Sequence, residues 1–240
     1  MTTSLPSSLE YARIQGLPGT AYYIPDFISA SEEQAILDKI AATPRPKWKQ
    51  LTHRRLQTWP SDLVRDKLLQ ASLPPWLEDP IVARILALRL SDETNQHIFS
   101  SSAHQRPNHV LINEYPPGDG AAYWPVVCTI SLGGSLCLNL HRNNDDGILD
   151  PNPAWRILQE PRSLLIIAES LYTDYLHGIA DITQDVDLSA QGNVANWPLL
   201  GDADMFAGGR SVRRTRTSLT YRDVLNVSTV GNKLGIFPRR

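Results

Sequence analysis

The stretch from Thr215 to Val224 reads TRTSLTYRDV and predicts a β-strand, since threonine, tyrosine and valine favour a pleated backbone. Alternate side chains of a strand point to opposite faces. One face then carries Arg216, Ser218, Thr220 and Arg222. Two arginines on one face of a core strand need partners, and a ligand with two carboxylates would supply them in bidentate geometry. The alternative, an edge strand with both guanidinium groups in water, stays open at this point.

Upstream of this stretch, the chain from residue 108 onward is rich in short segments with strand character, separated by turn residues. They are His109–Tyr115, Val126–Leu132, Leu136–Leu140, Ser163–Ile167 and Tyr172–Ile179. Two polar segments, 141–156 and 181–210, are predicted to be loops. There is no internal repeat and no long linker, so the sequence predicts a single domain.

The first hundred residues have a different pattern. Tyr22–Ile24 predicts a short strand, and Ser29 or Ser31 can cap a helix over about 31–42. Helices are also predicted over Leu63–Leu69 and about Pro80–Leu90. Residues 44–60 predict an extended surface segment or a hairpin. Helices followed by many short strands predict a mainly β (α+β) protein in which helices pack on a sandwich or barrel.

Composition excludes several classes of protein. The 240 residues are 42% hydrophobic and carry a net charge of −2, which argues against a strong overall attraction to nucleic acid, although a local basic patch stays open. Cys128 and Cys137 are too few for a disulfide framework and indicate free thiols in a reducing compartment. The uncharged run Ala121–Leu140 is interrupted by Pro125 and two glycines, which predicts strands and no membrane span. We therefore expect no membrane partner and a location in the cytoplasm and nucleus.

Three further residues are candidates for a site in the predicted barrel. Asn113 and Tyr115 share a strand face and offer an amide and a phenol to one interior. His177 lies in the strand-like segment YLHGI. Each has an ordinary alternative: a core tyrosine, an asparagine near a strand end, and a core histidine with its hydrogen bonds satisfied. The residues alone leave these alternatives open.

Taken in order and spacing, these features resemble the AlkB-like 2-oxoglutarate/Fe(II) dioxygenases, and in particular the sixth AlkB-homologue subgroup. The segments that carry the resemblance are YYIPDFIS (22–29), PRPKWKQL…RRLQTWP (44–60), LPPWL (73–77), NHVLINEYPPG (108–118), TISLG (129–133), EPRSLLI (160–166), LHGI (176–179) and RTRTSLTYR (214–222). They cover nearly the whole chain.

The resemblance implies a double-stranded β-helix, or jelly roll, with N-terminal helices packed on it. It also implies that Arg216 and Arg222 hold the carboxylates of 2-oxoglutarate, that Asn113 and Tyr115 hydrogen-bond this cosubstrate, and that His177 is an iron ligand. The implied activity is oxidative demethylation or hydroxylation of nucleic acid or a related substrate. The expected organisation is a monomer with a flexible N-terminus (1–20) and one domain (21–240). That domain would combine a helical recognition part (about 21–107) with a barrel core (about 108–228).

One part of the family pattern is missing. A facial triad needs two histidines and one carboxylate, and the family supplies two of these ligands from an H-x-D motif shortly after the strand of Asn113. Here no histidine lies between His109 and His141, and Asp119 is only a weak candidate for the carboxylate. The sequence therefore predicts impaired Fe(II) binding and leaves enzymatic activity undecided. A pseudoenzyme, an alternative or misread transcript, and ligands from unrecognised positions are the open explanations.

A second hypothesis is a non-catalytic module that keeps the fold and binds nucleic acid or protein. The segment around Lys47, Trp48, Arg54 and Arg55 mixes cations with aromatic rings, as single-strand binding surfaces do. These residues are candidate substrate contacts. The alternative is a solvated basic loop with structural tryptophans.

Overall fold

The computed structural model describes residues 5–65, 67–117, 121–123, 128–142, 152–168, 170–192 and 194–228, with the backbone alone for residues 121–123 and 172. The helices are α1 (Ala30–Ala41), α2 (Pro75–Glu78), α3 (Ile81–Ala87) and α4 (Ser170–Thr173). The strands are β1 (Thr20–Ile24), β2 (Lys49–Gln50), β3 (Arg55–Trp59), β4 (Leu63–Val64), β5 (Lys67–Leu69), β6 (His109–Tyr115), β7 (Ala121–Tyr123), β8 (Cys128–Gly133), β9 (Leu136–Arg142), β10 (Trp155–Gln159), β11 (Leu164–Ala168), β12 (Tyr175–Ile179), β13 (Gln184–Val186), β14 (Arg210–Val212), β15 (Arg216–Arg222) and β16 (Val227–Ser228).

Two sheets form the barrel. The large sheet has seven strands in the order β1-β11-β8-β15-β6-β3-β2, and the small sheet has four in the order β10-β9-β12-β7. Neighbouring strands in both sheets are antiparallel. Apolar side chains from both sheets share one core cluster, for example Tyr115 and Leu165 from the large sheet and Leu138 and Ile179 from the small one. The mainly β, jelly-roll architecture expected from the sequence is confirmed.

The helices cover the other face of the large sheet. Ile36 of α1, Leu77 of α2 and Ile85 of α3 belong to a second core cluster, which also contains Leu219 and Tyr221 of β15. The Tyr221 hydroxyl donates a hydrogen bond to the carbonyl oxygen of Leu77 over 2.9 Å. The alternation of β15 thus places its apolar side chains toward the helices and its polar side chains toward the interior of the barrel.

Helix α1 begins as the sequence predicts. The Ser29 side chain accepts from the backbone of Glu32, and the Glu32 carboxylate accepts from the backbone of Ser29, which is a complete capping box. Glu32 also pairs with Arg84 of α3 at 2.7 Å, so the same carboxylate joins two helices. Arg84 lowers the pKa of Glu32, mainly through this hydrogen bond.

Three predictions of secondary structure are wrong in whole or in part. Leu63–Leu69 forms the short strands β4 and β5 in place of a helix, with a turn at Arg65, whose φ is 52°. Leu68 is buried between two exposed neighbours, a two-residue period that the helical interpretation of this segment ignored. The predicted loop 141–156 runs into β10, which pairs with β9 at the edge of the small sheet. The second predicted loop, 181–210, contains β13, which forms a ribbon with β14.

Residues 5–20, part of the lead-in that the sequence predicts to be flexible, contact the core. A 3-10 helix spans Leu9–Ala12, and Leu9 and Ile14 are fully buried. Cys128 and Cys137 are both free and buried, as expected. Among the residues that the structure describes, no helix has the length and apolar character to cross a membrane.

Candidate functional site

A small cavity lies between the two sheets. Its volume is about 40 Å³, room for a few water molecules. The polar part of its wall comes from Thr129, Gln159, Arg216, Ser218 and Thr220, together with His177 of the small sheet. Leucine and isoleucine side chains form the remainder. The fold therefore brings a candidate cosubstrate residue and the candidate iron ligand to one interior space.

Arg216 is a buried cation with uncharged hydrogen-bond acceptors. Its Nε donates to Ser131 Oγ over 2.7 Å and its Nη2 donates to Gln159 Oε1 over 2.9 Å. Burial lowers the pKa of Arg216 to about 10. Removing a charge from water is expensive unless an opposite charge compensates it, and neither acceptor supplies one. This end of the cavity is therefore suited to an anion.

Asn113 and Tyr115 lie on β6, directly beside Arg216 on β15. The register places Tyr115 opposite Arg216 and Asn113 opposite Ser218. The Tyr115 ring centroid lies 6.0 Å from the Arg216 guanidinium carbon, and burial raises the pKa of Tyr115. Asn113 is buried, and its Oδ1 accepts a hydrogen bond from Arg54 Nε over 3.1 Å. Three of the four residues that the resemblance assigns to 2-oxoglutarate thus form one group.

Arg222 lies at the opposite end of β15, about 20 Å of strand rise from Arg216. Its Nε donates to Nδ1 of His109, its partner in the register, over 3.1 Å. The structure does not bring Arg222 into the wall of the cavity, and its predicted contact with 2-oxoglutarate stays a prediction.

His177 faces the cavity from β12 and is buried. Its Nε2 donates to the carbonyl oxygen of Leu171 over 2.9 Å, so the lone pair of the neutral ring is on Nδ1. Burial lowers the pKa of His177, which favours this neutral form.

The other histidines near the barrel do not join His177. His141 is opposite Leu176 in the ladder of β9 and β12, whereas Leu140 is opposite His177, so His141 belongs to the other face of the small sheet. His109, at the far end of β6, accepts a hydrogen bond from Arg222. Asp119, the weak candidate for the carboxylate ligand, lies outside the described residues.

The chain's residues do not fit an iron triad. Within the described ranges, no three His, Cys, Asp or Glu side chains lie together as metal ligands would. The printed sequence has no histidine from residue 110 to residue 140 that could complete a pair with His177. A facial triad requires two histidines and a carboxylate. Among the described residues, His177 supplies one of these three ligands.

The basic and aromatic residues of the hairpin β2–β3 have partners within the chain. The Arg55 guanidinium stacks 4.1 Å from the Trp48 ring and forms two hydrogen bonds with the Glu114 carboxylate, at 2.7 and 2.9 Å. Lys47 Nζ lies 4.3 Å from the centroid of Trp59. Of the four candidate substrate contacts, Trp48 and Arg55 thus contact each other and Lys47 contacts Trp59. Arg54 contacts Asn113 instead.

Sequence reasoning missed three polar residues of the site, Thr129, Ser131 and Gln159. Ser131 alternates with Thr129 in the otherwise apolar strand β8, and this period of two could have placed it on the same interior face. Gln159 ends β10, of which only the first two residues fall in the predicted loop 141–156, and no signal in the sequence indicated it.

Comparison with known proteins places the chain in a family. No family model matches it. It is 34% identical over 240 residues to a Danio rerio protein described as "Probable RNA/DNA demethylase ALKBH6", with 95% of each chain covered. It is 26% identical over 226 residues to "Uncharacterized protein L905" of Acanthamoeba polyphaga mimivirus, with 90% of each chain covered.

Among solved structures, that of OsALKBH1 superposes with a TM-score of 0.50 at 14% identity, covering 87% of this chain and 100% of that one. At this level of identity the superposition supports the jelly-roll fold alone. The membership rests on the relative at 34% identity, which matches almost end to end. The chain belongs to the AlkB-like 2-oxoglutarate/Fe(II) dioxygenase family.

Proposed function

We propose that this chain is an AlkB-like scaffold that binds 2-oxoglutarate at Arg216 but retains Fe(II) poorly. The reaction, as in the family, would be oxidative demethylation or hydroxylation of nucleic acid or a related substrate. The description of the 34%-identical relative as an RNA/DNA demethylase supports nucleic acid as the substrate class. The lack of any histidine between His109 and His141, where the family has its H-x-D motif, supports the impaired metal site.

The observation that carries the proposal is the environment of Arg216. A fully buried guanidinium with serine and glutamine as acceptors lacks a compensating negative charge in these contacts. A carboxylate of 2-oxoglutarate would supply this charge in bidentate geometry. Asn113 and Tyr115 would add neutral hydrogen bonds from the neighbouring strand.

A calorimetric titration with 2-oxoglutarate tests the cosubstrate half of the proposal. We expect measurable binding by the parent chain and at least about tenfold weaker binding by Arg216→Met, because a charge-assisted hydrogen-bond pair is removed. Arg45→Met, an exposed arginine outside the site, is the matched control. Absence of binding by the parent chain would refute this half.

Metal content and turnover test the iron half. We expect substoichiometric iron after reconstitution, and no release of CO2 from 2-oxoglutarate by the chain as it stands. Inserting a segment with H-x-D between Gly120 and Ala121 is expected to raise both metal content and CO2 release. Turnover by the unmodified chain would contradict the impaired site. The transcript sequence across codons 118–124 would identify the origin of the missing motif.

The binding of nucleic acid has its own test. Fluorescence anisotropy with a labelled single-stranded RNA and DNA at low and moderate salt should show binding that weakens as salt rises. No binding at low ionic strength would remove nucleic acid as the partner. The internal partners of Lys47 and Arg55 argue against a binding module that works through these two cations alone.

We further propose a single domain with a recognition part at about 21–107 and a core at about 108–228. We also propose a monomer that resides in the cytoplasm and nucleus. Light scattering coupled to gel filtration checks the monomer, and imaging of the tagged chain checks the location. A dimer, or a signal confined to another compartment, would contradict these two proposals.

A further inference from the structure

We propose that Arg54 is a positioning residue of the 2-oxoglutarate site, acting through the side-chain amide of Asn113. The inference rests on the proposed function and goes beyond it, because the sequence groups Arg54 with the candidate substrate contacts Lys47, Trp48 and Arg55. The contacts of Arg54 separate it from that group.

Three neighbouring strands bring Arg54 to the site. Arg54 immediately precedes β3, which pairs with β6, which in turn pairs with β15. Its Nε donates to Asn113 Oδ1 over 3.1 Å, and its guanidinium carbon lies 5.9 Å from the centroid of the Tyr115 ring. Arg216 lies 6.0 Å from the same ring. Two guanidinium groups therefore lie within about 6 Å of one aromatic ring at this end of the barrel.

The contact with Asn113 fixes which end of the amide is available to a ligand. An asparagine side chain can present either a carbonyl oxygen, which accepts, or an NH2 group, which donates. With Oδ1 bound to Arg54, the Nδ2 end is left as a pair of donors. A carboxylate accepts hydrogen bonds from donors and is repelled by a carbonyl oxygen. Arg54 therefore selects the orientation of Asn113 that an anionic cosubstrate requires.

The next residue in sequence shows that this arrangement is specific to Arg54. Arg55 points to the opposite face, as successive residues of a strand do. There it forms two hydrogen bonds with Glu114, whose carboxylate compensates its charge. Arg54 instead directs its Nε to the side-chain amide of Asn113.

A double-mutant cycle on the full chain tests the inference, with the dissociation constant of 2-oxoglutarate from calorimetry as the readout. Arg54→Met should weaken binding by about tenfold, within the range of a hydrogen bond to a charged group. Arg54→Lys keeps the charge and one donor, and should recover part of this loss. Arg45→Met, the same substitution at an exposed arginine of the same segment, should change binding by less than about twofold. In an Asn113→Ala background, Arg54→Met should add little further loss.

The other possible results of these measurements contradict the positioning role, the proposed function or both. Wild-type affinity in Arg54→Met, or an undiminished loss in the Asn113→Ala background, would overturn the positioning role while the proposed function stands. Weaker binding of labelled RNA with unchanged binding of 2-oxoglutarate would make Arg54 a substrate contact and overturn it as well. A parent chain that does not bind 2-oxoglutarate refutes both proposals. If Arg54→Met does not fold, Arg54→Gln and Arg54→Lys replace it in the cycle, with melting temperatures recorded for every variant.

Discussion

Arg222 and His109 lie opposite each other on β15 and β6, and the guanidinium Nε donates to the imidazole Nδ1 over 3.1 Å. An imidazole that accepts at Nδ1 must be neutral, with its proton on Nε2. Burial, and then the charge of Arg222, lower the pKa of His109 to about 4. The histidine is fully buried, so protonation would place two cations together in the interior.

Stability should therefore fall as the pH falls from about 6.5 toward 4. Between these values the unfolded chain binds a proton at residue 109 and the folded chain does not, so acid favours unfolding. The full effect of this residue is on the order of 3 kcal/mol. Urea denaturation at pH 7, 5.5 and 4.5 measures it, and His109→Gln should flatten the dependence. The exposed His53→Gln is the control, and an unchanged midpoint between pH 7 and 4.5 in the parent would contradict the prediction.

Arg216→Met should separate stability from ligand binding. Removing a buried cation relieves its desolvation, which offsets the one or two hydrogen bonds left unmade at Ser131 and Gln159. We expect the free energy of unfolding to change by no more than about 1 kcal/mol, or to rise, while 2-oxoglutarate binds at least about tenfold more weakly. Urea denaturation and calorimetry on the same preparation test both parts. A variant that is strongly destabilised would indicate a structural role for the guanidinium.

Asp185→Asn, unlike Arg216→Met, should strongly destabilise the protein. The Asp185 carboxylate accepts from Arg213 Nε and Nη2 over 2.9 and 2.8 Å, and both side chains are buried. Breaking a buried pair from one side leaves an uncompensated charge and costs about 3–5 kcal/mol. Lys49→Met, which breaks the exposed pair with Asp62, should cost less than about 1 kcal/mol. Equal losses in the two variants would show that burial does not control these ion pairs.

Glu160→Gln should loosen the segment that begins at Gly201. The Glu160 carboxylate accepts from the Tyr23 hydroxyl over 2.7 Å and from the backbone N–H groups of Gly201 and Asp202 over 3.0 and 2.9 Å. An amide can keep only some of these bonds, so we expect a loss of about 1–3 kcal/mol. Hydrogen exchange should accelerate at the amides of residues 201 and 202 and remain unchanged in the capped helix α1. Unaltered exchange at these two amides would contradict the anchoring role.

The sequence predicted the barrel well because its signals are local. The alternation of a strand correctly put Asn113 and Tyr115 on one face of β6, and Arg216 and Ser218 on one face of β15. The family resemblance predicted that these two faces meet. The helix predicted over Leu63–Leu69 failed because tertiary pairing of β5 with β4 and β16 overrode a short apolar pattern.

The chemical surroundings of the site were less predictable. The acceptor Gln159 and the role of Arg54 depend on contacts between residues far apart in sequence. Arg54 and Arg55 are adjacent and chemically identical, and only the pairing of β3 with β6 decides which of them faces Asn113.

The division of the site between two sheets has an evolutionary consequence. Asn113, Tyr115 and Arg216 belong to the large sheet, whereas His177 belongs to the small one. The pairing of β6 with β15 places Asn113, Tyr115 and Arg216 next to one another. The register of these two strands does not depend on β12, the strand that carries His177. An insertion or deletion of a few codons near residue 120 would therefore alter the proposed iron site while leaving the register of β6 with β15 unchanged.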